Sequence, residues 1–261
     1  MPNLSLLIKP VSGACNLRCR YCFYLDESAH RQTACFGTMS ETTLQTLVRR
    51  AFAYADGPVS FAFQGGEPLL AGKAFYRRVL ALQKQYNTRR LPVTNALQTN
   101  GTLLDEEWAE LFAEGQFLVG ISLDGPASLH DRYRVDTAGA ATHARALQGA
   151  EILKKHGVPY NILCVVTQQI AAAPDTVFDA LAPHGYLQFI PCLDALDGQP
   201  GEFSLQPKPT VNFWCVPLTA TRTRGAAVDL SASVRLTTGW VCCWDNRPKA
   251  AVCQGVAVTI M

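Results

Sequence analysis

Six short runs rich in β-branched and aromatic residues, separated by longer stretches of helical period, limit what this chain can fold into more than any other feature. The runs Leu4–Lys9, Val59–Gln64, Val93–Gln98, Phe117–Leu123, Tyr160–Val166 and Tyr186–Pro191 read as strands. Between them, Ser40–Tyr54 opens on Ser40 as an N-cap, Gly72–Tyr86 is amphipathic, and Asp105 caps Glu106–Glu114. Ala138–His156 stops at Gly157, and Pro174–Leu181 opens on a proline, which a first helical turn tolerates. Successive strand–helix units joined by right-handed crossovers give a parallel sheet, either a barrel or an open doubly wound sheet.

Both arrangements bind ligands at the carboxyl ends of their strands. The unusual residues of this sequence fall there. Cys15 to Cys22 follow the first strand, Gly65-Gly66-Glu67-Pro68 the second, Gln98-Thr99-Asn100-Gly101 the third, and Ser122 to Asp124 close the fourth. Turn chemistry accounts for any one such loop, but not for their agreement on one edge. An apolar fraction of 48% is ample for a continuous core. The 23 basic and 21 acidic residues are interspersed, so no single-sign field draws the chain to nucleic acid or a membrane. The start carries no positively charged segment or cleavage site of a signal peptide, and no run suits a membrane span, so a cytoplasmic protein is expected. In that compartment clustered cysteines bind metal or do chemistry more often than they form disulfides.

Cys15-Asn16-Leu17-Arg18-Cys19-Arg20-Tyr21-Cys22 puts three thiols within eight residues, a loop able to take three corners of one cubane cluster and leave one iron open. An open position is what a reactive metal site needs. The zinc alternative has to recruit Cys35 or a thiol from the far end of the chain. Cys164 and Cys192 lie in apolar strands and read as small buried hydrophobes. His30, His130, His143, His156 and His184 lack metal-ligand spacing and read as surface or helix-end residues.

The C-x3-C-x2-C spacing, with aromatic Tyr21 before the last cysteine, resembles the radical S-adenosylmethionine (radical SAM) superfamily. Gln64-Gly65-Gly66-Glu67-Pro68 resembles its GGEP motif. Lys9-Pro10, Cys22-Phe23-Tyr24, Phe61 to Pro68, Leu97 to Thr102, Gly120 to Pro126, Asn161 to Thr167 and Leu187 to Ile190 together are similar to anaerobic sulfatase-maturating enzymes, from about Leu4 to Leu205. The resemblance implies a partial (β/α)6 TIM-like barrel and a [4Fe-4S] cluster on Cys15, Cys19 and Cys22. The open iron of that cluster chelates S-adenosylmethionine, which is cleaved by one electron to methionine and a 5′-deoxyadenosyl radical. It further implies S-adenosylmethionine contacts at Tyr21, Gly66, Ser122, Arg134 and Leu193. Tyr24, Gln64 and Gln98 are candidate substrate or cofactor contacts. The reaction implied is oxidation of a cysteine or serine of an unfolded sulfatase polypeptide to Cα-formylglycine, with an electron donor such as flavodoxin or ferredoxin. On this reading Gly66→Val is expected to keep the iron and lose S-adenosylmethionine.

The resemblance stops near Pro209. Residues 1–209 form the expected core domain, and 210–261 read as an atypical tail without glutamate or histidine. The family's SPASM domain, with its catalytic aspartate and auxiliary-cluster cysteines, has no match there. Cys215, Cys242, Cys243 and Cys253 have the wrong spacing, and Asp229 and Asp245 occupy no matching motif. A frameshift or truncation is expected, with impaired turnover and no assigned catalytic base. The alternatives are another peptide-modifying radical enzyme, for instance one forming thioether crosslinks, and a non-catalytic iron–sulfur or zinc module.

Overall fold

The structure is a computed structural model and describes residues 3–194, 201–209 and 213. Its strands are β1 (Leu4–Ile8), β2 (Val59–Phe63), β3 (Val93–Thr99), β4 (Phe117–Ser122), β5 (Tyr160–Val166) and β6 (Leu187–Pro191), close to the bounds expected from the sequence. The described residues fall into two compact units, one of Met1–Leu123 with His130–Asn161 and one of Asp124–Leu129 with the residues from Ile162 onward.

In the first unit Leu4 of β1 lies opposite Val59 of β2, Val59 opposite Val93 of β3, and Asn95 of β3 opposite Phe117 of β4, all parallel. In the second, Ile162 of β5 lies opposite Leu187 of β6, also parallel. The sheet order is the chain order, β1 to β6 without reversal. A doubly wound sheet reverses its order at a switch point. The fold is therefore of the α/β barrel type, with six parallel strands.

The helices of the first unit include α1 (Phe23–Ala29), α2 (Glu41–Tyr54), α3 (Lys73–Tyr86) and α4 (Glu106–Glu114). Ser40 caps α2 by accepting from the Thr43 amide, and Asp105 caps α4 by accepting from the Trp108 amide. Helix α2 buries Leu44, Val48, Ala51 and Phe52, one stripe at helical spacing. Helices α3 and α4 contribute Tyr76, Trp108 and Phe112 to an aromatic core with Phe63 of β2 and Phe117 of β4. The Tyr76 ring lies 5.2 Å from Phe63 and 5.5 Å from Trp108, both edge-on. The Tyr76 hydroxyl donates to the Pro68 carbonyl at 3.0 Å, so this core reaches the loop that follows β2.

Four further helices follow: α5 (Ala127–Tyr133), α6 (His143–Lys155) and, in the second unit, the short α7 (Gln168–Ala171) followed by α8 (Pro174–Leu181). Helix α6 begins five residues later than Ala138, where the sequence pattern starts it. The Asp136 carboxylate accepts from the amides of Ala138 and Ala140, and Gly139 has φ +79°, so a tight turn takes the place of a first helical turn. Helices α1, α5 and α7 are too short to impose a period on the sequence. Among the described residues no helix is long and apolar enough to cross a membrane. Of 210–261 only Phe213 is described, packed edge-on against Phe189 of β6 at 5.1 Å. The expectations for Cys215, Asp229, Cys242, Cys243, Asp245 and Cys253 lie outside the described residues.

Candidate functional site

The loop after β1 carries the three thiols, and hydrogen bonds hold it on two sides. On one side, the Arg18 amide donates to the Val135 carbonyl at 2.7 Å and the Arg20 amide to that of Tyr133 at 2.9 Å, beside an antiparallel bridge between Leu17 and Asp136. On the other, the Glu67 amide donates to the Ala14 carbonyl at 2.8 Å. Cys22 closes the loop: its amide donates to the Cys19 carbonyl at 3.1 Å, and its own carbonyl accepts the first amides of α1. Cys15, Cys19 and Cys22 are partly exposed.

Donors gather around these sulfurs. Cys15 Sγ accepts from the Leu17 amide at 3.3 Å and from Asn100 Nδ2 at 3.9 Å. Burial still raises its pKa, since it disfavours the thiolate more than the two bonds favour it. Arg134 Nη1 lies 4.0 Å from Cys19 Sγ. The guanidinium sits 5.4 Å over the Tyr21 ring and is 7% exposed, so Arg134 is a buried cation at the thiol loop and not a surface charge. Its backbone is fixed as well. Thr142 Oγ1 donates to the Arg134 carbonyl at 2.6 Å, so that hydroxyl accepts from His130 Nε2 at 3.1 Å. His130 is thereby a buried residue in the last turn of α5, a helix-end histidine as expected but not a surface one.

Among the described residues no three histidine, cysteine or acidic side chains converge on one metal ion. The three thiols suit a cluster better than zinc, because each iron of a cubane takes its own thiolate and the sulfurs need not meet at a point. A cubane with three protein ligands therefore fits the donor set.

Gly66 has φ +59°, and a Cβ there would lie 2.1 Å from the Ala14 carbonyl oxygen. The close approach that needs glycine is thus to the thiol loop's own backbone. A valine at 66 displaces that loop, so the expected separation of iron loss from S-adenosylmethionine loss does not follow from the geometry.

Glu67, next along, is fully buried. Its carboxylate accepts from the Leu69 amide at 3.0 Å, Thr99 Oγ1 at 2.8 Å and the Asn100 amide at 2.8 Å. Burial pushes its pKa up to about 7 despite these three donors. One residue therefore ties the thiol loop, the end of β2 and the end of β3 together. Sequence reading saw the motif but not this junction. Its sign in the sequence was an acidic residue among glycines and a proline at a strand end.

The remaining expected residues fall into separate groups. Gln64 Nε2 donates to the Tyr24 hydroxyl at 3.1 Å, with Lys9 Nζ 4.8 Å from the Tyr24 ring centre and 3.5 Å from Glu27. Gln98 Nε2 donates to Ser122 Oγ at 3.1 Å, which supplies the polar partner a hydroxyl at a strand end requires. Leu193, just beyond β6 in the second unit, is 64% exposed. Cys164 and Cys192 are buried in that unit, and burial pushes the Cys192 thiol up to about 11. Cys35 is exposed.

Comparison with known proteins returns four consistent findings. The profile of the Radical SAM superfamily matches residues 10–177. The chain is 46% identical over 211 residues to the cysteine-type anaerobic sulfatase-maturating enzyme of Clostridium perfringens strain 13, covering 80% of this chain and 57% of that protein. It is 40% identical over 193 residues to the serine-type enzyme of Klebsiella aerogenes, covering 72% of this chain and 46% of the relative. The solved structure of native anSMEcpe with bound AdoMet and Cp18Cys peptide aligns with TM-score 0.82 and 41% identity, over 90% of this chain and 63% of that one. The chain thus spans about half the length of the curated relatives it matches.

Proposed function

This chain belongs to the radical SAM superfamily, and we propose that it oxidises a cysteine or serine of an unfolded sulfatase polypeptide to Cα-formylglycine. The observation that carries the proposal is the loop of three partly exposed thiols, fixed between the ends of β2 and β3 and the 133–136 segment, with buried Arg134 at Cys19.

Radical SAM proteins use a [4Fe-4S] cluster and S-adenosylmethionine, which together supply a one-electron reduction ending in hydrogen abstraction. In this chain Cys15, Cys19 and Cys22 are the proposed cluster ligands. Arg134 sets a fixed positive charge beside Cys19. Tyr21 holds that guanidinium in place through its ring face. Ser122, held by Gln98, offers a hydroxyl at the carboxyl end of β4, and Ser122, Tyr21, Arg134, Gly66 and Leu193 are the proposed S-adenosylmethionine contacts. Tyr24, Gln64 and Gln98 are proposed substrate or cofactor contacts, and the electron donor is proposed to be a flavodoxin or ferredoxin. The sulfatase assignment draws its support from the two curated relatives and from the peptide-bound anSMEcpe structure.

The test is anaerobic reconstitution with iron and sulfide, then incubation with S-adenosylmethionine, dithionite and a sulfatase-type peptide. Deoxyadenosine and peptide aldehyde are followed separately. Deoxyadenosine is expected from the native chain, with little aldehyde because turnover is expected to be impaired, and neither product from the variant with all three cysteines changed to alanine, which should also lose the absorbance near 400 nm. Deoxyadenosine formation that the peptide does not change, with no trace of aldehyde, would remove the sulfatase assignment while leaving the cluster; a full cluster in the triple variant would remove the ligand assignment.

A further inference from the structure

We infer that Asn100 is a positioning residue that donates an N–H···S hydrogen bond to the Cys15 ligand and thereby raises the reduction potential of the cluster. The inference rests on the proposed ligation by Cys15. What the structure adds is a closed hydrogen-bond ring that fixes which way the Asn100 amide points.

The Thr102 amide can only donate, and it lies 3.0 Å from Asn100 Oδ1. That identifies the oxygen and turns Nδ2 the other way. Thr102 Oγ1 also donates to Asn100 Oδ1, at 2.7 Å, and therefore accepts from Asn16 Nδ2 at 2.9 Å. Asn16 then presents Oδ1 to Asn100 Nδ2, again at 2.9 Å. Each donor in the ring has an acceptor, and one N–H of Asn100 is left over. It is aimed at Cys15 Sγ, 3.9 Å away.

The backbone beneath this ring is equally fixed. Glu67 accepts from the Asn100 amide and from Thr99 Oγ1, so a buried carboxylate holds the residue that carries the donor. Asn16 is the neighbour of Cys15 in the chain, so the ring also clamps the thiol loop to the end of β3. Asn100 is 8% exposed, which limits the competition of water for its amide N–H. Hydrogen bonds to cluster sulfurs set potential because reduction adds negative charge that a donor stabilises. A potential raised this way eases transfer of the electron onto the cluster from an external reductant.

The experiment compares native and Asn100→Leu proteins, both reconstituted anaerobically, by iron analysis and by redox titration followed by electron paramagnetic resonance. The native chain should bind iron, and Asn100→Leu should bind about as much with a lower potential. A reduction equilibrium about tenfold weaker, about 59 mV for a one-electron couple, is expected. An unchanged potential at full iron loading overturns the inference and leaves the cluster assignment standing. A native chain that binds no iron overturns both. If Asn100→Leu fails to fold, native protein labelled with ¹⁵N in asparagine side chains decides. Pulsed resonance of the reduced cluster should detect a coupled side-chain nitrogen, and its absence overturns the inference.

Discussion

Glu67 concentrates the unusual energetics of the site in one side chain. Its folded-state pKa of about 7 stands above the ordinary 4.5, so the folded chain binds this proton more tightly than the unfolded one. The resulting stability is fully present below the unfolded value and is lost as pH rises through the folded one. The window is pH 4.5 to 7, and the shift amounts to roughly 3 kcal/mol. Glu67→Gln removes the titration and keeps an acceptor for the Leu69 amide and the Thr99 hydroxyl, while its NH2 turns toward the Asn100 amide at a cost that does not depend on pH. Urea unfolding of cluster-free protein at pH 5 and pH 8 should show native stability falling relative to Glu67→Gln across that range. Parallel pH profiles for the two chains would refute the assignment.

At the level of elements, α2 and α4 start where a side chain satisfies a first-turn amide, and for α4 this can be separated from surface charge. Asp105 does both: Oδ1 accepts from the Trp108 amide at 2.9 Å, while Oδ2 pairs with Lys73 at 2.7 Å. An exposed ion pair contributes little, whereas loss of an N-cap costs about 1 kcal/mol. Asp105→Ala should therefore lower stability by about 1 kcal/mol. Asp105→Asn keeps the cap without the charge and should stay near the native value. Equal losses in the two variants, measured by urea midpoints, would assign the effect to the ion pair. The cap matters beyond α4, because Trp108 in its first turn belongs to the aromatic core that reaches Pro68 through Tyr76.

In the first unit as a whole, four separated stretches of chain meet at one place: 14–22, 66–67, 99–102 and 133–136, joined by the hydrogen bonds of Ala14, Arg18, Arg20, Glu67 and Asn100. A group bound to the thiols stabilises whatever holds them, by linkage. Removing the cluster should therefore speed amide hydrogen exchange in all four stretches together, while Phe117–Ile121 of β4, anchored in the aromatic core, stays protected. Faster exchange confined to 14–22 would show that the loop is held independently of its neighbours.

Strand and helix positions were legible in the sequence because they follow from local periodicity, caps and turn residues, and the strand bounds of Tyr160–Val166 match residue for residue. The thiol spacing was legible for the same reason: it lies within one loop, Cys15 to Cys22. What the sequence could not reveal is the set of contacts that depend on chain closure. Asn16 and Asn100 are 84 positions apart, and Arg134 is 115 from Cys19, so no local pattern links them. The parallel sheet brings the ends of β2 and β3 side by side, and only there does an ordinary glutamate become a buried junction. Gly66 shows the division most plainly: its motif is visible in the sequence, but only the fold reveals that the neighbour requiring a glycine is the Ala14 carbonyl.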